Sequence, residues 1–287
     1  MISRFSTTPS LLLLCLGSTL CGQASGQPDK SARSFFNRTP EAELRELSTD
    51  RPDLTESPYT VDAGWWQVEM DLVSHARDHD TAAGADTQVS ALSLAQINLK
   101  IGLTNSIDLQ TVIASYTRVR TTDRLTGDRA TVSGFGDVTS RLKINCWGND
   151  GGDSAFALMP FVKWPTNRHG LGNDSVEGGL IVPYARELPG GWGMGVMTEL
   201  DLVRNVADEG YTADWVNTIT FGRDLAGKLG GYVELAATCT RGADPVTFDC
   251  GLTYGATRHL QFDVGANLGL TDAAEDLTLF AGLSFRF

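Results

Sequence analysis

The chain is short of cysteine, histidine and basic side chains and has no long apolar run, and each shortage closes off a class of protein. Five cysteines stand among 287 residues, with no CxxC and no Cys/His cluster at zinc spacing. Neither a disulfide framework nor a metal site is indicated, and no cofactor is implied. Lys and Arg number 23 against 35 Asp and Glu, a formal balance of −12. No basic stretch interleaves with aromatics, which sets nucleic acid aside as a partner. Four histidines, at 75, 79, 169 and 259, leave little for nucleophilic catalysis. Ser74 and His75 are adjacent and point to opposite faces of a strand. His169, Asp174 and Ser175 share a loop, but no GxSxG or HExxH surrounds them. No enzyme is expected, and a membrane-embedded lipid hydrolase is the weakest alternative.

The apolar run Leu11–Leu16 is far shorter than the ~20 residues of a spanning helix. With Arg4 before it and small residues after it, residues 1–26 read as a secretory signal peptide, cleaved near Gly22–Ala24 or Ala24–Gly26. Cys21 follows Leu20, too large for lipoprotein processing. Hydrophobic residues make up 41% of the chain and mean hydropathy is −0.11. A transmembrane barrel averages out this way because only alternate strand residues face lipid.

Two regions follow the leader. Residues 27–64 form an N-terminal periplasmic segment. Thr39 and Pro40 are placed to start a short helix through Leu47, and the polar, proline-containing stretch 48–58 is extended. It either plugs a lumen or tethers. From Trp65 to Phe287 the period is two. Strands are predicted near 65–77, 88–103, 107–120, 135–147, 154–164, 176–186, 192–205, 211–223, 229–240, 245–256, 259–270 and 275–287. Their connections alternate short and longer, as in an antiparallel transmembrane β-barrel of about 12 strands with both ends periplasmic. A soluble sandwich or propeller is the competing fold.

Parity assigns faces. Leu277, Leu279, Ala281, Leu283, Phe285 and Phe287 share the lipid side of the last strand. Trp66, Val68, Met70 and Leu72 do so in the first. Charge collects on the other face, giving lumen-lining candidates Glu69, Asp71, Asp108, Arg118, Arg141, Lys143, Lys163, Glu199, Asp201, Glu234, Asp249, Asp263 and Arg286, with Arg120 beside Arg118. A Lys or Arg on the lipid face costs about 2–4 kcal/mol near the midplane, so these side chains belong inside. Either they set up a field that selects solutes, or they neutralise one another and fill the bore. Trp65, Trp147, Trp164, Trp192, Trp215, Tyr184, Tyr211, Tyr232 and Tyr254 fall near strand ends, as in aromatic girdles. Cys239 and Cys250 share the outward face, as two small lipid-facing residues or as a cross-strand pair if their hairpin centres near Asp244–Pro245.

Leu47-Ser-Thr-Asp-Arg-Pro-Asp-Leu-Thr-Glu-Ser-Pro-Tyr-Thr-Val61, followed by Gly64 and Gln67-Val68-Glu69, resembles the opening of the outer-membrane transporter family of the phenol degradation meta-pathway type. Gly134-Phe135-Gly136-Asp137 leading to Lys143, and Leu158-Met-Pro-Phe-Val-Lys-Trp-Pro-Thr166, are similar to two further blocks of that family. Phe285 and Phe287 look like the signal read by the outer-membrane assembly machinery. The resemblance implies a passive transporter in the bacterial outer membrane, with the lipid bilayer as partner and a small, hydrophobic or aromatic solute as cargo. It names no binding residue. A structural or adhesive barrel without transport is the alternative.

Overall fold

The computed structural model describes residues 29–81, 85–167, 169–205 and 210–287, so the expected signal peptide lies outside the described residues. After a 3-10 turn at Glu41–Glu43 come thirteen strand segments: β1 (Trp66–Asp80), β2 (Thr87–Gly102), β3 (Ile107–Asp123), β4 (Arg129–Gly134), β5 (Val138–Trp147), β6 (Ser154–Trp164), β7 (Glu177–Leu188), β8 (Trp192–Asn205), β9 (Gly210–Ala226), β10 (Leu229–Cys239), β11 (Val246–Thr257), β12 (Leu260–Gly269) and β13 (Leu277–Arg286). Both β4 and β5 pair with β3. They are one stave interrupted at 135–137, where Gly136 N–H donates to Ala114 O at 2.9 Å. Antiparallel pairing runs stave to stave and closes between β1 and β13, from Gln67↔Arg286 to Arg77↔Leu277. The result is a closed barrel of twelve staves. Closure pairs both edges of the barrel wall, which a hydrocarbon environment requires; only β4, beyond the interruption at 135–137, pairs on one side alone.

Period-two alternation puts large apolar side chains outside. Leu109, Leu158, Leu180, Val233, Val264 and Leu279 are all exposed, in a band no water-soluble monomer would tolerate. Trp147, Trp192 and Tyr254 ring the periplasmic rim, and Trp164, Tyr211 and Trp215 the outer one, all exposed. Trp65 and Tyr232 depart from the expected girdles. Trp65 is buried, donates from its indole to Thr39 O at 2.8 Å and stacks on His259. Tyr232 faces inward, its hydroxyl 3.5 Å from Pro52 O. Among the described residues no helix is long and apolar enough to cross a membrane.

Three other local expectations are corrected, and one open alternative is decided. The helix expected after Thr39 is only the single 3-10 turn, without a side-chain cap, because the chain beyond Leu44 is drawn out toward the lumen. The connection expected at 121–134 is mostly strand. Of the two readings of Cys239 and Cys250, the separate residues hold and the cross-strand pair does not, since both are free: Ala237 pairs with Val246 and Cys250 with Val233, so the hairpin centres earlier than Asp244 and separates the two thiols along the sheet. Arg118, expected in the lumen, points outward. Pairing skips Leu72, Ala95 and Ser115 side by side across β1, β2 and β3, and Ala95 takes φ 51°. This irregularity reverses parity above it. Gln96 and Ser74 line an inner cavity, whereas Val73, Leu94 and Tyr116 are exposed. Arg118, paired with Leu92, follows Tyr116 to the outside, and Arg120 follows Arg118.

Candidate functional site in the barrel lumen

Residues 45–62 enter the lumen as an extended strap. Pro52 and Pro58 favour extended backbone in the residues before them, and an extended strand with no sheet neighbours must find other partners for its amides and carbonyls. The wall supplies them. Glu69 accepts from Asp50 N–H at 3.1 Å, and Gln67 donates to Ser48 O at 2.8 Å. Asp108 accepts from Val61 N–H at 2.9 Å. Asn145 donates to Pro58 O at 2.9 Å. Glu234 accepts from Leu54 N–H at 2.7 Å, Thr55 N–H at 2.8 Å and the Thr55 hydroxyl at 2.5 Å.

Ion pairs complete the docking. Asp50 lies between Lys100 of β2 and Lys143 of β5, bonding the latter at 2.6 Å, with all three side chains buried. Arg51 bridges Asp71 and Asp263, each at 2.7 Å. Glu56 meets Arg141 at 2.5 Å. Near the periplasmic mouth Asp62 gathers Arg286 at 3.2 Å, Arg45 at 3.3 Å and Lys30 at 3.6 Å. Burial disfavours charge on Asp50, yet Lys100 and Lys143 hold its carboxyl well below the ordinary range. Asp53 is the opposite case. Burial, reinforced by the Glu234 carboxylate, pushes it up to about 8. Burial and then Asp50 push Glu56 up to about 7 against the pull of Arg141.

Nine of the thirteen residues singled out from the sequence therefore touch the strap or its direct partners: Glu69, Asp71, Asp108, Arg141, Lys143, Glu234, Asp249, Asp263 and Arg286. Asp249 stands opposite Glu234 in register, shares a side-chain contact with it and accepts from the Thr247 hydroxyl at 3.1 Å. Lys163 pairs with Glu177 away from the strap. Glu199 and Asp201 face the bore on β8 beside Met197, and Asp201 lies opposite Asp214 of β9. Arg118 is outside. Parity missed Lys100, although it alternates with the polar Asn98 and Gln96. It also missed that the acids and bases of the wall answer mainly to the strap. Three wall glycines admit the strap: a Cβ at Gly102 would lie 2.2 Å from Asp62 O, one at Gly282 2.2 Å from the Arg51 guanidinium, and one at Gly195 3.0 Å from the Thr55 methyl. The loop trio His169, Asp174 and Ser175 is joined by no hydrogen bond among the described residues.

A family model described as "Putative MetA-pathway of phenol degradation" matches residues 49–287, from the strap through β13. The chain belongs to this family. No curated protein matches it significantly. Among solved structures, an outer-membrane channel from Pseudomonas putida F1 superposes with a TM-score of 0.57 at 13% identity, over 84% of this chain and 100% of that one. The translocator domain of autotransporter NalP from Neisseria meningitidis reaches 0.49 at 8% identity, over 78% and 88%. The Ralstonia pickettii toluene transporter TbuX reaches 0.42 at 8% identity, over 77% and 88%. The last two are too distant to bear on this chain's cargo, and the first speaks for the fold. Closed barrel, apolar exterior and family membership together make this a bacterial outer-membrane β-barrel.

Proposed function

We propose that the chain is a channel for the passive passage of small molecules across the outer membrane, its bore narrowed by the strap. One observation carries the reading. Arg51, Pro52, Asp53 and Glu56 line both a cavity of about 610 Å³ on the periplasmic side and one of about 290 Å³ on the outer side. The barrier between two solvent-sized spaces is thus a single extended strand. A barrel filled by its own side chains has no such spaces. Inside the bore, Met159, Ile181 and Met197 form a buried cluster flanked by Phe161 and Val216, against which the strap packs, its Glu56 N–H directed at Met197 Sδ at 3.4 Å. Phe285 and Phe287, their rings 5.5 Å apart on the outer face, are assigned to recognition by the assembly machinery.

The test is reconstitution. Liposomes containing the purified protein should take up small sugars and pass ion current, with steps absent from protein-free membranes. Tight vesicles and silent bilayers would leave the other reading, a structural barrel sealed by residues 48–62.

A further inference from the structure

Glycine occurs on the lumen wall in two settings. Gly102, Gly195 and Gly282 touch the strap and have no room for a Cβ. On the inner half of β8 and β9, Gly193 and Gly222 are paired across the strands and have room: the nearest atoms to a built Cβ lie 3.8 Å away at Gly193 and 3.6 Å at Gly222. Strand-interior glycine weakens a sheet and often marks a place where a ligand or another backbone comes close. At Gly193 and Gly222 the strap does not come close, and the nearest atoms are backbone oxygens of the adjacent strands at ordinary contact distance. They face the cavity of about 610 Å³, a volume within the roughly 300–1,000 Å³ of small-molecule pockets.

The chemistry of this cleft is distinct from the rest of the bore. Its wall above the rim is glycine together with Thr220, Tyr232 and Thr253, so it presents backbone, hydroxyls and one aromatic ring. Arg186, Glu187, Arg223 and Asp224 line only its periplasmic rim, at the ends of β7 and β9, and the charges deeper in, beside the strap, are already engaged. Arg51 is held by Asp71 and Asp263, Glu56 by Arg141, and Glu234 by three donors of the strap. Asp53, whose carboxyl burial and Glu234 raise to about 8, is protonated at neutral pH. Beside the strap, above those rim charges, a charged guest gives up water with no free counter-charge at hand, which is unfavourable. An uncharged one loses little and gains contact with the ring and the hydroxyls.

We propose that the cleft between the strap and the glycine-bearing wall of β8–β10 is a binding subsite for a small uncharged organic solute carrying one or two hydroxyl or carbonyl groups. The site rests on the channel reading for its purpose but not for its existence, and its test does not depend on conductance. Binding to the full-length barrel in detergent is measured by ligand-observed saturation-transfer NMR at pH 7 with resorcinol, and with benzoate and benzylammonium as anionic and cationic probes of similar size. Resorcinol should bind at least tenfold better than either ion. Gly193→Leu and Gly222→Leu, which fill the space, should each weaken it by tenfold or more. Val233→Ala on the lipid face should not. Should a leucine variant fail to fold, Thr253→Val leaves the backbone alone and should weaken resorcinol several-fold. Equal binding of all three probes, no detectable resorcinol binding, or indifference to the cleft variants overturns the subsite. Selective binding in a protein that passes no solute would keep the subsite and remove the channel.

Discussion

The two sides of the lumen hold the same strap in different ways. Toward β1, β2, β5 and β12 the contacts are mainly ionic, with Gly102 and Gly282 giving clearance beside them: Asp50 with Lys100 and Lys143, Arg51 with Asp71 and Asp263, Glu56 with Arg141. Toward β8–β10 the strap rests on Gly195, on a hydroxyl contact between Thr55 and Thr218 at 2.6 Å and on Glu234, with open space beside them. Buried charges tolerate no missing partner, so the first side fixes where the strap sits. Glycine and hydroxyl contacts bear only on how close it comes, so the second side is where a passage has room. One wall sets position and the other sets clearance.

If that division holds, removing Asp50 should have the largest effect. Asp50→Leu strands the buried Lys143 ammonium and leaves Lys100 with Glu69 alone, and breaking a buried pair costs about 3–5 kcal/mol. Strap docking should fall by a factor on the order of 10²–10³, read in planar bilayers as larger and noisier single-channel currents than wild type. Unchanged currents would show that the ionic side does not set the strap's position. Glu234→Gln tests the other wall and should do less. The amide keeps one acceptor oxygen but loses the charge that strengthens three hydrogen bonds, each charge-assisted bond being worth about 1.5–3 kcal/mol. An intermediate rise in conductance is expected, and an effect as large as that of Asp50→Leu would erase the distinction between the walls.

Much of this was legible beforehand, for physical reasons. A closed barrel is governed by one period, and period two survives in sequence because lipid penalises any charge that breaks it. Strand positions and the inward placement of Glu69, Lys143, Glu234 and Asp263 followed from that rule alone. Arg118 shows its limit. Nothing in Leu72, Ala95 or Ser115 marks an irregularity, since it arises from three strands going out of step together, and one skipped residue moves every side chain above it to the other face. The site was harder to see. Acids and bases on the wall were expected to answer to one another, and Lys163–Glu177 and Lys100–Glu69 do so. Most of the others answer to Asp50, Arg51, Glu56 and Asp62, tens to hundreds of residues away in sequence. The Ser48–Pro58 stretch carried charges of both signs beside its prolines, which a simple tether does not need, and that was the available signal.

The smallest expected effect is that of pH, and it also separates the walls. Asp53 faces Glu234 of β10 and Thr220 of β9, with Asp50 behind it, and burial raises its carboxyl to about 8. Glu56 faces Arg141 and Lys143 of β5, Lys100 of β2 and Asp50, and is raised to about 7. An acid whose pKa is raised on docking binds a proton as the strap docks. Docking is therefore favoured at low pH and weakens as pH climbs from the ordinary carboxyl range through about 7 for Glu56 and about 8 for Asp53, changing little above that. Each group contributes at most about tenfold per pH unit. Asp50, held low by its two lysines, acts in the reverse sense, but only below the ordinary carboxyl range, where its protonation loosens the strap. Channel activity should rise between pH 6 and pH 9 and level off. Asp53→Asn should remove the upper part of that rise and leave the part near pH 7, which belongs to Glu56 and the ionic wall. A pH profile unaffected by Asp53→Asn would mean that the clearance side of the lumen does not sense protons, and that any response to pH comes from the side that fixes position.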